Sequence, residues 1–114
     1  MNSKLKGKDV DFLFKSILSL KSMEECYDLF EDLCTVQELK AMSQRLVVAK
    51  MLSEKRVYSD IVHETGASTA TISRVNRALT YGNDGYKLAF EREDNGDTNK
   101  WVQVTPNFHN FMII

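Results

Sequence analysis

Residues 58–77 read YSDIVHETGASTATISRVNR, and this stretch decides the fold. It has the layout of a helix-turn-helix, in which two short helices meet at a sharp turn. Gly66 occupies the turn because a residue without a Cβ tolerates a positive φ, and Ala67 is small enough for the helices to approach each other. Ser68 can cap the second helix by accepting its first free backbone N–H groups. The pattern predicts a helix-turn-helix at about residues 58–78.

Apolar residues in this motif predict the buried face of each helix. Ile61 and Val62 are expected to face the core from the first helix, and Ile72 and Val75 from the second. The outward face of the second helix then carries small, polar and basic side chains, namely Thr69, Ala70, Ser73 and Arg77. Such a face suits a helix that enters the DNA major groove. The alternative is a helical hairpin that packs on its neighbours and touches no DNA, and we favour DNA binding because all the features fall at compatible offsets.

The candidate DNA contacts come from both helices. In and before the second helix they are Ser68, Thr69, Ala70, Thr71, Ser73, Arg74 and Arg77. Lys55, Arg56 and Ser59 lie before and at the start of the first helix, where they suit contacts to phosphates. For Lys55 and Arg56 the alternative is a solvated helix terminus that favours cations. Because the side chains on the reading face are small, we expect a close backbone approach and water-mediated base contacts.

The net charge of the whole chain is −1, but its distribution is uneven. Residues 40–80 carry seven Lys or Arg and three Asp or Glu, a net charge of +4. Residues 1–39 have a net charge of −3 and residues 81–114 a net charge of −2. The positive charge is therefore concentrated around the motif, which is what binding to DNA phosphates requires.

The remaining composition fits a single cytoplasmic domain. The chain has 114 residues, of which 43% are hydrophobic and 27% are charged. Cys26 and Cys34 lack a CxxC spacing and are read as reduced thiols, so no disulfide, metal or cofactor is expected. No signal peptide or membrane-spanning stretch is recognisable. No Gly-rich phosphate loop or paired catalytic groups occur, and His63 lies beside Glu64 without a nucleophile, so an enzyme is not expected.

Helical signals predict an all-α fold of five to six helices. Two capping boxes, Ser22 with Glu25 and Thr35 with Glu38, introduce the second helix and a long helix that reaches about Ser53. Other helices are expected at 9–20 and at about 84–92. The predicted inward residues of the long helix are Leu39, Met42, Leu46, Ala49 and Leu52. Beyond these helices, residues 101–104 alternate like a strand, and the apolar end FHNFMII either packs on the body or a second subunit or is a floppy extension.

Three blocks of this sequence carry a family resemblance: TVQELKAMSQR at 35–45, TGASTATISR at 65–74 and TYGNDGY at 80–86. Over residues 29–92 the chain resembles the tryptophan repressor family and looks closest to its YerC/YecD-type branch. The resemblance implies a helical DNA-binding domain at residues 1–93, with residues 94–114 as a tail. It also implies an intertwined homodimer, in which helices flanking the motif interlock, that binds palindromic double-stranded DNA.

The resemblance also implies a ligand pocket, because founding members of the family bind tryptophan as a corepressor. The matching positions in this sequence are Thr35, Arg45 and Arg74. Val75 replaces a glycine that lets the indole ring lie close, and Ala78 replaces a serine that helps to hold the ammonium group. We therefore expect no tryptophan response. Arg74 can instead contact a DNA phosphate or pair with an acidic neighbour, and Arg45 can form a structural ion pair.

The sequence thus predicts a homodimeric transcriptional regulator, read as a repressor, that binds palindromic DNA through residues 68–77. One alternative within this class is a repressor gated by a small molecule other than tryptophan. The alternative from another class is a protein-interaction module that uses the helix-turn-helix to bind a partner protein.

Overall fold

The computed structural model describes residues 3–95, which form six helices and no strand. Their bounds are α1 Lys8–Leu18, α2 Met23–Leu33, α3 Val36–Ser53, α4 Tyr58–Thr65, α5 Thr69–Tyr81 and α6 Gly85–Asn95. The predicted all-α fold is confirmed, although α1 ends two residues earlier than expected and α6 runs three residues further. The predicted strand at 101–104 and the apolar end of the chain lie outside the described residues.

The two predicted capping boxes begin α2 and α3. At α3, the Thr35 backbone N–H donates to Glu38 Oε1 over 2.9 Å, and the Glu38 N–H donates to Thr35 Oγ1 over 3.1 Å. Hydrogen bonds to the Glu38 carboxylate, first from the Thr35 backbone N–H and second from the Thr35 side chain, lower the pKa of that carboxyl. At α2, the Ser22 hydroxyl accepts from Glu25 over 3.1 Å, but the Glu25 carboxylate accepts from the Lys21 N–H over 2.8 Å. The Glu25 carboxylate thus binds the N–H of the residue before Ser22, not the N–H of Ser22 as a capping box predicts.

The chain divides into two compact units, one reaching Leu39 and the other beginning at Lys40. In the first unit, neither α1 nor α2 contains a buried residue. Several large apolar side chains of these helices are instead exposed, among them Phe12, Phe14, Leu18, Met23, Tyr27 and Leu33. Within residues 3–95, these apolar side chains of α1 and α2 are therefore left uncovered.

The second unit contains the hydrophobic core. Its buried residues are Val47, Val48, Ala49, Met51, Ile61, Ala67, Ile72, Val75 and Phe90. For α3 the predicted inward face was correct for Ala49, which is buried, and for Leu52, which packs against the core. It was wrong for Leu46 and Met42, which are 44% and 38% exposed. Residues 46–52 read LVVAKML, and a nearly continuous apolar run does not specify which side of a helix faces the core.

The prediction for α4 was correct for Ile61, which is fully buried, and wrong for Val62, which is 36% exposed. Adjacent helical positions point about 100° apart, and in α4 the core lies on the side of Ile61.

Lys50 connects α3 to α6. Its Nζ lies 5.1 Å from the centre of the Phe90 ring and 3.7 Å from Asp94 Oδ2.

No helix within residues 3–95 is long and apolar enough to cross a bilayer. The same residues contain no group of three His, Cys, Asp or Glu side chains that is arranged to hold a metal ion.

Candidate nucleic-acid interface

The turn between α4 and α5 has the predicted geometry. Gly66 adopts a left-handed conformation with φ of 72°, and its N–H donates to the Val62 carbonyl over 2.9 Å. A Cβ at Gly66 would have open space around it, so the requirement for glycine comes from backbone strain rather than from a steric clash.

The Thr65 hydroxyl stabilises this turn through hydrogen bonds to the backbone. Its Oγ1 donates to the Ile61 carbonyl over 2.7 Å and accepts from the Ala67 N–H over 3.1 Å. The Gln44 side-chain amide on α3 donates to the Thr65 carbonyl over 3.1 Å. The angle between α4 and α5 is thus held by hydrogen bonds as well as by the buried side chain of Ala67.

Ser68 caps α5 as predicted, because its Oγ accepts from the Thr71 N–H over 3.1 Å. The Ser68 hydroxyl also lies 3.1 Å from Thr71 Oγ1, to which it donates. Thr71 is half-buried and belongs to the cap, whereas Ile72 and Val75 hold the helix on the core. The first turn of α5 is therefore ordered before any ligand binds.

The outward face of α5 carries the residues predicted for it. Thr69, Ala70, Ser73, Arg74 and Arg77 are all exposed. The helix contains two arginines and no Asp or Glu, and neither arginine forms an ion pair within residues 3–95. The positive N-terminal end of the helix dipole and both guanidinium groups are thus available to an anionic partner. The acidic-neighbour interpretation of Arg74 finds no partner among these residues.

The three candidates before and within α4 differ in environment. Lys55 is exposed in the turn before α4, where its backbone adopts φ of 65°. Ser59 is also exposed. Arg56 instead donates from Nη2 to Glu64 Oε1 over 2.6 Å and lies 4.0 Å from Asp60 Oδ2. The Arg56 and Glu64 side chains are only 28% and 29% exposed, so this pair ties the preceding turn to the end of α4.

Because of this difference, we expect replacement of Lys55 to affect DNA binding and replacement of Arg56 to affect stability. We expect Lys55→Ala to leave stability unchanged and to reduce the salt dependence of DNA binding by about 0.9 in log–log slope for each lost phosphate contact. We expect Arg56→Ala to lower the free energy of unfolding by about 1–3 kcal/mol, because Glu64 loses its partner in a partly buried site. Urea denaturation and a salt titration of DNA binding measure the two effects separately. A stable Arg56→Ala protein with a reduced slope would instead make Arg56 a phosphate contact.

The residues that match the family's tryptophan pocket differ from one another in how exposed they are. Thr35 is exposed and occupied in the capping box, Arg45 is half-buried and Arg74 is exposed. Val75 is buried in the core cluster, and Ala78 is exposed. The branched side chain of Val75 therefore has its own packing partners and leaves no glycine-like gap at that position.

Sequence reasoning missed one exposed residue on α5. Tyr81, the last residue of the helix, is 82% exposed. It follows Arg77 by four positions, and this spacing places both side chains on one face of a helix. The spacing of Arg77 and Tyr81 in the sequence could have indicated that Tyr81 shares this face. A tyrosine followed by a glycine was instead interpreted only as the end of the helix.

Comparisons with known proteins agree with this architecture. The family model for Trp repressor protein matches residues 8–94, which extends the predicted resemblance at both ends. YerC of Bacillus subtilis, itself an uncharacterised protein, is 58% identical over 95 residues, covering 83% of this chain and 91% of its own length. The predicted closeness to the YerC-type branch is thereby confirmed.

Two crystal structures show the same fold. A TrpR-like protein from Eubacterium eligens is 63% identical, with a TM-score of 0.78 over 80% of this chain and 94% of its own. A protein from Staphylococcus aureus described as a candidate Trp repressor is 53% identical, with a TM-score of 0.78 over 80% of this chain and 91% of its own. The chain belongs to the Trp repressor family.

Proposed function

We propose that this protein is a transcriptional repressor that binds palindromic double-stranded DNA as a homodimer. The observation that carries the proposal is the outward face of α5, which is exposed, bears Arg74 and Arg77 and contains no carboxylate. The Ser68 cap and the braced turn hold this face in place, as a helix that reads the major groove requires. Membership in a family of regulators further favours a regulatory role over an enzymatic one.

Selection from a random duplex pool tests sequence-specific binding. Because each motif of a dimer occupies one half-site, we expect enriched sequences to be palindromic, with half-site centres about 10 bp apart or a multiple of that distance. A pool that stays random after repeated selection would contradict sequence-specific recognition. Enrichment of single, unpaired half-sites would contradict binding as a symmetric dimer.

The dimer is proposed because the first unit does not cover its own apolar side chains. Phe12 and Leu18 on α1 are 73% and 83% exposed, and Val36 at the start of α3 is 65% exposed. Monomeric proteins rarely expose so many large apolar groups together, because their burial is the main driving force of folding. A second copy presents the same apolar residues and can cover them through a self-complementary interface.

An obligate dimer predicts that unfolding depends on protein concentration. Because dissociation and unfolding are linked by mass action, we expect the midpoint of thermal unfolding to rise as the protein concentration increases. Phe12→Ser should lower that midpoint and shift the protein towards monomer in light scattering, whereas Lys8→Ser on the same helix serves as the control. A fully helical wild-type monomer at micromolar concentration would contradict the proposed dimer.

A second candidate function is repression gated by a small anionic molecule other than tryptophan. Arg45 favours it, because this half-buried cation forms no ion pair within residues 3–95. A screen of carboxylate metabolites by thermal shift tests this candidate. A compound that stabilises the wild type but not Arg45→Met would support gating. If no compound does so, the result would contradict gating and favour a repressor that needs no ligand.

A further inference from the structure

The C-terminal half of α5 carries two exposed side chains, Arg77 and Tyr81, that lie beyond the first turn of the helix. Ile72 and Val75 are buried and Leu79 is packed against the core, and these three residues define the inward side of α5. At about 100° per residue, Arg77 and Tyr81 lie on the opposite side of the helix. The phenol of Tyr81 is therefore directed away from the protein core, about 40° around the helix from the guanidinium of Arg77.

Distance along the helix separates these residues from the base-reading end. With a rise of 1.5 Å per residue, Arg77 lies about 10 Å and Tyr81 about 16 Å beyond Ala70 along the axis of α5. The major groove is about 12 Å wide. If the first turn of α5 reaches base edges, Arg77 comes to the wall of the groove and Tyr81 to the phosphate backbone itself.

The end of the helix is fixed so that Tyr81 keeps this position. The Gly82 N–H donates to the Ala78 carbonyl over 2.9 Å, and a Cβ at Gly82 would collide with that carbonyl oxygen. The chain can therefore turn away immediately after Tyr81 only because residue 82 is glycine. The backbone therefore fixes the position of Tyr81 at the tip of α5.

We infer that Arg77 and Tyr81 form a phosphate-binding pair that positions α5 in the groove, an inference that rests on the proposed function. Arg77 supplies the charge and can bind two phosphate oxygens at once, while the Tyr81 hydroxyl donates a hydrogen bond to the same or the adjacent phosphate. The pair assigns Arg77 to the DNA backbone rather than to a base, and it adds a contact residue outside 68–77.

Salt dependence separates the two members of this pair. We expect Tyr81→Phe to weaken binding to every duplex about 10-fold for each motif on the DNA, because each motif loses one hydrogen bond to a charged group. It should leave the salt slope unchanged, because a neutral phenol displaces no counterion. We expect Arg77→Ala to weaken binding to every duplex and to reduce the slope by about 0.9 for each motif on the DNA. The double variant should lose less than the product of the single losses, because the two side chains act on one site.

Two matched variants on α6 serve as controls, Tyr86→Phe and Arg92→Ala, and both should bind DNA like the wild type. If Tyr81→Phe binds like the wild type while the wild type binds DNA, this inference is overturned and the proposed function stands. A base-specific loss in Arg77→Ala, confined to one position of the selected sequence, also overturns it. A wild-type protein that binds no duplex overturns both the inference and the proposed function.

Discussion

Replacing Thr69 with Glu is expected to abolish sequence-specific DNA binding while leaving the protein folded. Thr69 is the first residue of α5, it is exposed, and it contributes nothing to the core. A carboxylate at this position would face the DNA phosphates and base edges at close range. Like-charge contacts at an interface cost several kcal/mol, so we expect at least about a 100-fold loss of affinity for the selected duplex.

Gln37→Glu is the matched control for this experiment, because it makes the same change in net charge at the exposed first turn of α3. Anisotropy with a labelled duplex measures affinity, and circular dichroism checks the fold of each variant. Acidic residues near the start of a helix are favourable, so neither variant should lose helicity. Wild-type affinity in a folded Thr69→Glu protein would exclude this face of α5 as the DNA-reading surface.

The second large effect is the absence of a tryptophan response. Val75 is 1% exposed within the core cluster, so the space that the founding repressors leave for an indole ring is occupied by a branched side chain. Inserting methyl groups into a packed site costs about 1–3 kcal/mol. Ala78 offers no oxygen to an ammonium group, and a lost hydrogen bond to a charged group costs about 1.5–3 kcal/mol. If these costs add, tryptophan affinity falls by roughly two to four powers of ten.

Calorimetry with tryptophan at up to millimolar concentration checks the first half of this prediction, and repeating the DNA titration in its presence checks the second. We expect no saturable heat and no change in DNA affinity. Saturable binding in the micromolar range together with tighter DNA binding would show that Arg45 and Arg74 still form a corepressor site.

Much of the motif was predictable because its determinants are local. Gly66 and Ser68 act within one turn of chain, so their identities alone predict the left-handed turn and the helix cap that the structure contains. The reciprocal hydrogen bonds between Thr35 and Glu38 are local in the same way. The outward side of α5 followed from the spacing of Ile72 and Val75.

The failures concern contacts between elements that are distant in sequence. The buried side of α3 could not be predicted because residues 46–52 are nearly all apolar, and only packing in three dimensions selects Val47, Val48 and Met51. The ion pair that Arg56 forms was not predicted from the sequence, and its contact to a phosphate stays a prediction. Its pairing with Glu64, eight residues away, depends on the turn geometry of the intervening chain.

Whether α5 binds the phosphate-rich surface of duplex DNA is tested most directly by a salt titration of duplex binding. Binding of the wild-type protein to a random-sequence duplex should weaken linearly in a plot of log affinity against log salt, with a slope of about −0.9 for each phosphate contacted. Lys55→Ala and Arg77→Ala should each make that slope shallower. Binding that does not change with salt, or no binding at low salt, would contradict the account.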